Sequence, residues 1–402
     1  MGTHGIAGHP WDVLRVLVGS ALLAFLTACA APSAQDIVTA PGIVDGVELL
    51  TDCRTYPQPT TVEDLDQLAA TFLAHPGFQG GDGAMSIELG DGRRLVLFGD
   101  TLRERSYPGG SVVRNSVMLF DGDQVCVVSG PDGREVVSDR DDGVGYWPMS
   151  LVARSSGGVE DVAIMMQRVA TTAADDLGFV ILGTSLVRMR IPHQGAPRVL
   201  ETIDLQEDDP SGSRITWGSA MWRGDDEWIY VYGTRNPQRD GVYGWSLHAA
   251  RARWGDLADQ DRWQFWDGER WSAQRSQVAT LIKADGGVAQ VLSVFARDGV
   301  WYVVSTKDGD LGDDVAVWTA SHPFGPYTAH PAVMSLPAEG FDGALTYLVL
   351  AHPDLFEVPG SVVISYSRGS TDWEALVRQP LRYRPAFERI RLPVSAEPRV
   401  IR

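Results

Sequence analysis

The sequence predicts an all-β protein built as a five-bladed β-propeller. Three observations carry this reading. Short apolar strands ending in a small-residue turn recur five times along the chain, as Leu95-Val96-Leu97-Phe98-Gly99-Asp100, Phe179-Val180-Ile181-Leu182-Gly183-Thr184, Trp228-Ile229-Tyr230-Val231-Tyr232-Gly233-Thr234, Val300-Trp301-Tyr302-Val303-Val304-Ser305-Thr306 and Ser361-Val362-Val363-Ile364-Ser365-Tyr366-Ser367. Each is preceded by another strand, at 83–89, 150–167, 213–222, 288–296 and 347–355. Turn signals separate these runs, and only one stretch has helical periodicity. Radial repetition of small antiparallel sheets leaves only short, protected strand edges. The same strands could also stack as a two-sheet sandwich. With 402 residues, 44% hydrophobic and 21% charged, the chain can bury a large core.

Residues 16–27 form an apolar run too short to span a bilayer comfortably, and residues 1–28 read as a targeting signal. The run ends in Leu26-Thr27-Ala28-Cys29, which resembles a bacterial lipobox with Cys29 as the lipidated residue. That resemblance implies export and anchoring by acyl chains on the outer face of the cytoplasmic membrane, in the cell envelope. A plain secretory signal with a chance cysteine is the alternative. Residues 29–59 read as a tether that becomes ordered toward Cys53, and 60–402 as the propeller domain with a short N-terminal helix. With Cys29 assigned to lipidation, Cys53 and Cys126 remain, and two cysteines in an exported chain are expected to pair. No histidine cluster accompanies them, so no metal site is expected at the cysteines; no cofactor is expected either, and a structural ion in the propeller channel stays open. The helix is predicted over 60–73, with a capping box from Thr60 to Glu63. Leu65, Leu68, Ala69, Phe72 and Leu73 share one face, and Pro76-Gly77 ends it.

The segment 80–101 organises the rest. Two half-strands, 85–89 and 94–98, flank Gly90-Asp91-Gly92, the pattern of a β-hairpin. Each outer end carries an aspartate beside glycine, Asp82 in Gly-Gly-Asp-Gly and Asp100 in Phe-Gly-Asp-Thr. An antiparallel hairpin brings its outer ends together, so both carboxylates are expected on one rim. Paired carboxylates on one rim are what glycosidic hydrolysis requires. Asp beside Gly is also ordinary turn chemistry, and Asp91, Asp121, Asp132, Asp285 and Asp298 are read only as turns. The formal charge of −18 argues against nucleic acid or an anionic membrane surface as the main ligand and suits a neutral substrate. The chain has no Gly-x-Ser-x-Gly, and Asp139-Arg140-Asp141-Asp142-Gly143 has the wrong register for an EF-hand. That stretch reads as a solvated acidic loop that could also hold an ion.

At these residues a resemblance appears. Gly-Gly-Asp-Gly, then Leu-Phe-Gly-Asp-Thr, then Arg114-Asn115-Ser116 resemble the DUF4185 family of bacterial secreted proteins. Tyr146-Trp147-Pro148, Ile215-Thr216-Trp217-Gly218-Ser219-Ala220, Trp263-Gln264-Phe265-Trp266-Asp267-Gly268, Ala351-His352-Pro353-Asp354-Leu355 and Ile364-Ser365-Tyr366-Ser367 follow in the matching order, over roughly residues 75–385. The resemblance implies a five-bladed propeller and, through its characterised members (glycoside hydrolase family 183), an endo-D-arabinanase acting on the D-arabinan of arabinogalactan and lipoarabinomannan. It implies that Asp82 and Asp100 are the catalytic carboxylates. Met149 and Ser150 stand where glycine or aspartate is expected more often.

For the chemistry, one carboxyl must be protonated and the other ionised. Asp100 is expected as the acid, because Phe98 and the strand end give it apolar surroundings, and Asp82, in a glycine-rich solvated loop, as the base. Trp147, Trp217 and Tyr366 are candidate sugar platforms, and Asn115 and His352 candidate hydroxyl partners. Each of these aromatics could instead pack between blades, and His352 could be structural. Trp263, Trp266 and Trp271 are read as outer-strand packing. The other class of function that fits the residues is a non-catalytic surface lipoprotein whose propeller binds glycan or a partner protein.

Overall fold

A computed structural model describes residues 46–172, 178–341 and 343–393; Cys29, the targeting signal and the first part of the tether lie outside them. The described residues form five antiparallel sheets; apart from one N-terminal strand added to each of the first two, each is made from a consecutive part of the chain. Blade 1 runs outward through Gly80–Glu88, Arg94–Leu102, Ser116–Asp121 and Gln124–Ser129, and blade 2 through Gly145–Ser156, Val159–Thr171, Phe179–Pro192 and Arg198–Asp204. Blade 3 comprises Thr216–Arg223, Ile229–Arg235, Ser246–Ala252, Gln264–Trp266 and Trp271–Ser272; blade 4 comprises Ser293–Arg297, Val300–Thr306, Asp314–Ala320 and Thr328–Ala329. Blade 5 has three described strands, Ala344–His352, Ser361–Ser370 and Ala386–Arg391. The first strand of every blade lines the axis, where Met85, Met149, Met221, Phe295 and Leu350 surround a channel of about 420 Å3. The predicted five-bladed propeller is the observed architecture.

Two details of the repeat differ from expectation. In four blades the recurring apolar run is the second strand, but in blade 2 it begins the third. The stretch 150–167, read as one strand, is a hairpin whose turn is Gly157-Gly158, both in the left-handed region (φ 59° and 80°). Two consecutive positive φ values define the hairpin turn that matches strand twist, and glycine adopts them without strain. The helix is Val62–Thr71, with Thr61 rather than Thr60 as its cap. Thr61 Oγ1 accepts from the Asp64 backbone N–H at 3.1 Å, and Asp64 Oδ2 accepts from the Thr61 N–H at 2.9 Å. Two adjacent threonines and two adjacent acids allow either register, and the chosen one also lets Asp64 accept the Thr60 N–H at 2.9 Å.

The end of the expected tether belongs to the propeller. Val47–Glu48 pairs with the outer strand of blade 2, and Leu50–Thr55 pairs with the outer strand of blade 1. Leu49 between them is buried in the same core cluster as Val128 of blade 1 and Val199 of blade 2. Cys53 and Cys126 are register partners and are joined, Sγ–Sγ 2.01 Å. This segment is a strap across the outer edges of two blades. Replacing both cysteines by serine is expected to lower the unfolding free energy by about 2–4 kcal/mol, measured by denaturant melts with and without reductant.

Among the described residues no strand is shared between blades 5 and 1; side chains and one backbone bond, from the Gly81 N–H to the Tyr383 carbonyl at 2.7 Å, close the ring. Ser367 Oγ accepts from the Gly83 N–H at 2.9 Å, Asp354 Oδ2 from the Glu88 N–H at 2.6 Å, and Arg94 Nη1 donates to Asp354 Oδ1 at 2.9 Å.

Candidate active site

Asp82 lies near the start of the innermost strand of blade 1 and Asp100 near the end of the strand beside it, on one rim, as Gly81 pairs with Thr101 and Gly83 with Phe98. The register slips at Asp82, between Gly81 and Gly83, and again before Met85. Bulges of this kind bend a strand and redirect a side chain. Similar slips occur near the same end of the inner strands of blades 2, 3 and 5. A Cβ at Gly99 would run into Asp82 Oδ1, so any other residue before Asp100 would displace the Asp82 carboxylate from its donors.

Different partners hold the two carboxylates. Tyr347 Oη donates to Asp82 Oδ2 at 2.7 Å, and the Tyr383 hydroxyl and the Asp100 backbone N–H also favour its ionised form. Burial nevertheless pushes the Asp82 carboxyl above its ordinary value. Both tyrosines are themselves shifted upward by burial and by the nearby carboxylates, so they remain donors at neutral pH. Asp100 Oδ1 accepts one bond, from Trp147 Nε1 at 2.9 Å. Burial, and next the charge of Asp82, push the Asp100 carboxyl up to about 7. Arg114 offsets part of this shift. Its guanidinium is fixed by the carbonyls of Gly143 and Val169, both at 3.1 Å. Asp82 is therefore no solvated loop residue: both side chains are half-buried, and Asp82 has the denser set of donors.

The other sequence candidates have different roles. Trp147 stands at the rim and positions Asp100, with its ring edge-to-face on Phe179 at 4.8 Å. Asn115 is buried and spends its amide on backbone, donating to the Val137 and Tyr146 carbonyls (3.0 and 3.1 Å) and accepting the Val137 N–H at 2.8 Å. It ties blade 1 to the segment entering blade 2 and has nothing left for a sugar. Trp217 is 1% exposed and packs on Trp263 and Phe265 at 6.1 and 5.3 Å, so it is core and not a platform. His352 is buried between Ser86 Oγ (2.8 Å) and Ser365 Oγ (2.9 Å), and burial lowers its pKa to about 4. Tyr366 is buried in the core of blades 4 and 5. Thr101 and Ser116, also within the motifs, bond to each other at 2.7 Å. Ser150 Oγ donates to the Gly218 carbonyl at 2.6 Å and so serves the junction of blades 2 and 3.

The acidic loop after Gly133 is occupied internally, because Arg140 pairs with Asp142, Asp204 and Asp208. One group among the described residues has metal-ligand spacing, Asp91, Glu160 and His193, at the far end of blade 1 from Asp82. His193 Nε2 meets Glu160 Oε1 at 2.9 Å and Arg93 Nη2 meets Asp91 Oδ2 at 2.7 Å, so these groups already hold one another.

The model of a domain of unknown function, DUF5005, matches residues 66–392. The chain belongs to the DUF5005 family. This match does not extend to the DUF4185 family that the motifs resemble. No curated protein matches the sequence. A structure described as a "putative hydrolase" from Bacteroides ovatus ATCC 8483 is similar to this DUF5005 chain over 86% of it and 93% of that chain, at 21% identity and a TM-score of 0.59. Likeness at that identity shows a common fold. Two family 43 glycoside hydrolases are more remote. One is an arabinoxylan arabinofuranohydrolase from Bacillus subtilis (13% identity, 80% of this chain and 66% of that one, TM-score 0.47). The other is a β-xylosidase/α-arabinofuranosidase from a compost microbial metagenome (12%, 86% and 96%, TM-score 0.43). Neither likeness carries an argument about function.

Proposed function

We propose that this DUF5005 propeller is a glycoside hydrolase that cleaves internal furanosidic linkages of a cell-envelope D-arabinan, with Asp100 as acid and Asp82 as base. One observation carries the reading: two carboxyls on one rim, of which Asp100 is held up to about 7 with one hydrogen bond while Asp82 collects several donors that favour its charge. Environments that separate two neighbouring carboxyls mark an acid and a base. Asp100 gives its proton to the leaving oxygen as the glycosidic C–O bond breaks. Asp82 takes a proton from the attacking water, or attacks the anomeric carbon itself, and the anomer first released distinguishes the two. Arabinan is named through the motif resemblance. Export and anchoring through Cys29 would put the enzyme beside such a polysaccharide.

The test is incubation of residues 30–402 with purified mycobacterial arabinogalactan and, in parallel, with xylan. Release of arabino-oligosaccharides from the first alone is the expected result. Release from xylan alone would keep the hydrolase and overturn arabinan. Binding of either polymer without cleavage would favour the non-catalytic glycan-binding lipoprotein.

The pH profile follows from the same groups. Above about pH 7 Asp100 loses the proton it must donate, so kcat/KM is expected to fall there. The acid limb reports Asp82, whose raised pKa puts that limb above the ordinary carboxylate range. Tyr347→Phe removes a donor that favours ionised Asp82, so its acid limb should move to higher pH while the alkaline limb moves less. Profiles of kcat/KM for the two proteins check this.

A further inference from the structure

The third strand of blade 2 starts irregularly, its register slipping between Ile181 and Gly183. This bulge turns the first residues of the strand away from the regular sheet. Together with the connection into blade 3, and with Trp245 and Gln290, they enclose a hollow of about 240 Å3. The hollow adjoins the carboxylate rim. Phe179, in its wall and 48% exposed, packs on Trp147, whose indole N–H holds Asp100.

We infer that this hollow is a subsite for one neutral sugar residue of the glycan whose scissile linkage lies at Asp82 and Asp100. The inference rests on the glycosidase reading above and adds where the chain runs: from the carboxylates across Trp147 toward blade 3. Its chemistry suits a sugar, with Phe179 and Trp245 offering aromatic surface and polar groups at fixed positions around them. Asp310 fixes one wall, accepting from Trp245 Nε1 at 2.9 Å and from the Gln290 backbone N–H at 2.7 Å. Gln238 Nε2 donates to the Ser211 carbonyl at 2.7 Å, and Arg214 Nε meets Asp209 Oδ2 at 2.8 Å. Groups already held in place lose little freedom when a ligand arrives. Among the described residues, Arg214 and Asp209 are the two charged members of the lining, and they neutralise each other. A phosphate or carboxylate would have to displace Asp209 from Arg214, whereas hydroxyls can share both. A site that holds a residue beyond the cleavage point recognises a chain rather than a terminal sugar.

Two exposed positions test this, Ser211→Trp, which fills the hollow, and Arg214→Ala, which removes a polar contact. The readout is kcat/KM on arabinan polymer divided by kcat/KM on a small aryl arabinofuranoside, with a thermal melt to confirm folding. The ratio should fall about tenfold or more in Ser211→Trp and less in Arg214→Ala. An unchanged ratio in Ser211→Trp, whether both rates persist or both fall together, overturns the subsite. If the wild type cleaves neither substrate, the hydrolase reading has failed. Titration of arabino-oligosaccharide then decides the hollow separately: binding lost in Ser211→Trp supports it, and equal binding or none by the wild type overturns it.

Discussion

Asp82→Asn and Asp100→Asn are each expected to lower kcat/KM on arabinan by about 10²–10⁴-fold, the range of a single positioned acid or base. Neither change removes much structure. An asparagine at 82 still offers an oxygen to Tyr347, and one at 100 still offers an oxygen to Trp147. Stability should move the other way for Asp100. Its folded pKa of about 7 lies well above the ordinary aspartate value, so the folded chain holds the proton more tightly. Stability from this group is therefore present at low pH and is lost as pH rises toward 7. Asp100→Asn should raise the melting temperature at pH 8 and change it little at pH 4. Full activity in both variants would show that the pair is not the catalytic machinery. An activity loss without the pH-dependent stabilisation would mean that the Asp100 carboxyl is not held up by its surroundings.

Trp217→Ala is expected to cost about 3–5 kcal/mol of stability, the range for truncating a buried aromatic. The ring projects from the inner strand of blade 3 onto Trp263 and Phe265 of the blade's outer part, and it belongs to the large core that joins blades 1, 2 and 3. Little water can enter an apolar hole lined by rings, so the cavity remains empty. The discriminating measurement is activity per folded molecule well below the lowered melting point. As a core residue Trp217 leaves KM near its wild-type value, whereas a sugar platform would raise KM without changing the melt. A variant that melts normally but binds glycan weakly would restore the sequence-based assignment.

The architecture was legible because it depends on short-range signals. Apolar runs closed by small residues report strands and turns wherever they occur, and the hairpin around Gly90-Asp91-Gly92 brings Asp82 and Asp100 to one rim through local geometry alone. What surrounds the pair was not legible. Tyr347 and Tyr383 come from blade 5 at the other end of the chain, brought to Asp82 only when the ring closes. The chain order gives no sign of that meeting. Asn115, His352 and Tyr366 drew notice because polar or aromatic residues in motifs suggest contact with ligand. In the folded chain Asn115 serves buried backbone groups, His352 bridges two serines, and Tyr366 fills core. A buried amide beside unpaired backbone groups is used there first, since leaving them unmet is costly. The hairpin of blade 2 is hidden in the sequence because its turn is only two glycines, Gly157-Gly158, inside a long β-rich stretch.

The strap formed by residues 47–55 bears on how firmly Asp100 keeps its proton. Asp100 belongs to blade 1, but the indole that orients it belongs to blade 2. Any splaying of these two wedges would lift Trp147 from the carboxyl and admit water between them. The strap acts at their outer edges, farthest from the axis, where a small restraint has the greatest leverage on the angle between the blades. The covalent link from Cys53 to Cys126 anchors its blade 1 end. The same segment thus works as a hoop, holding at the circumference the two wedges whose meeting at the rim keeps the acid and its indole together.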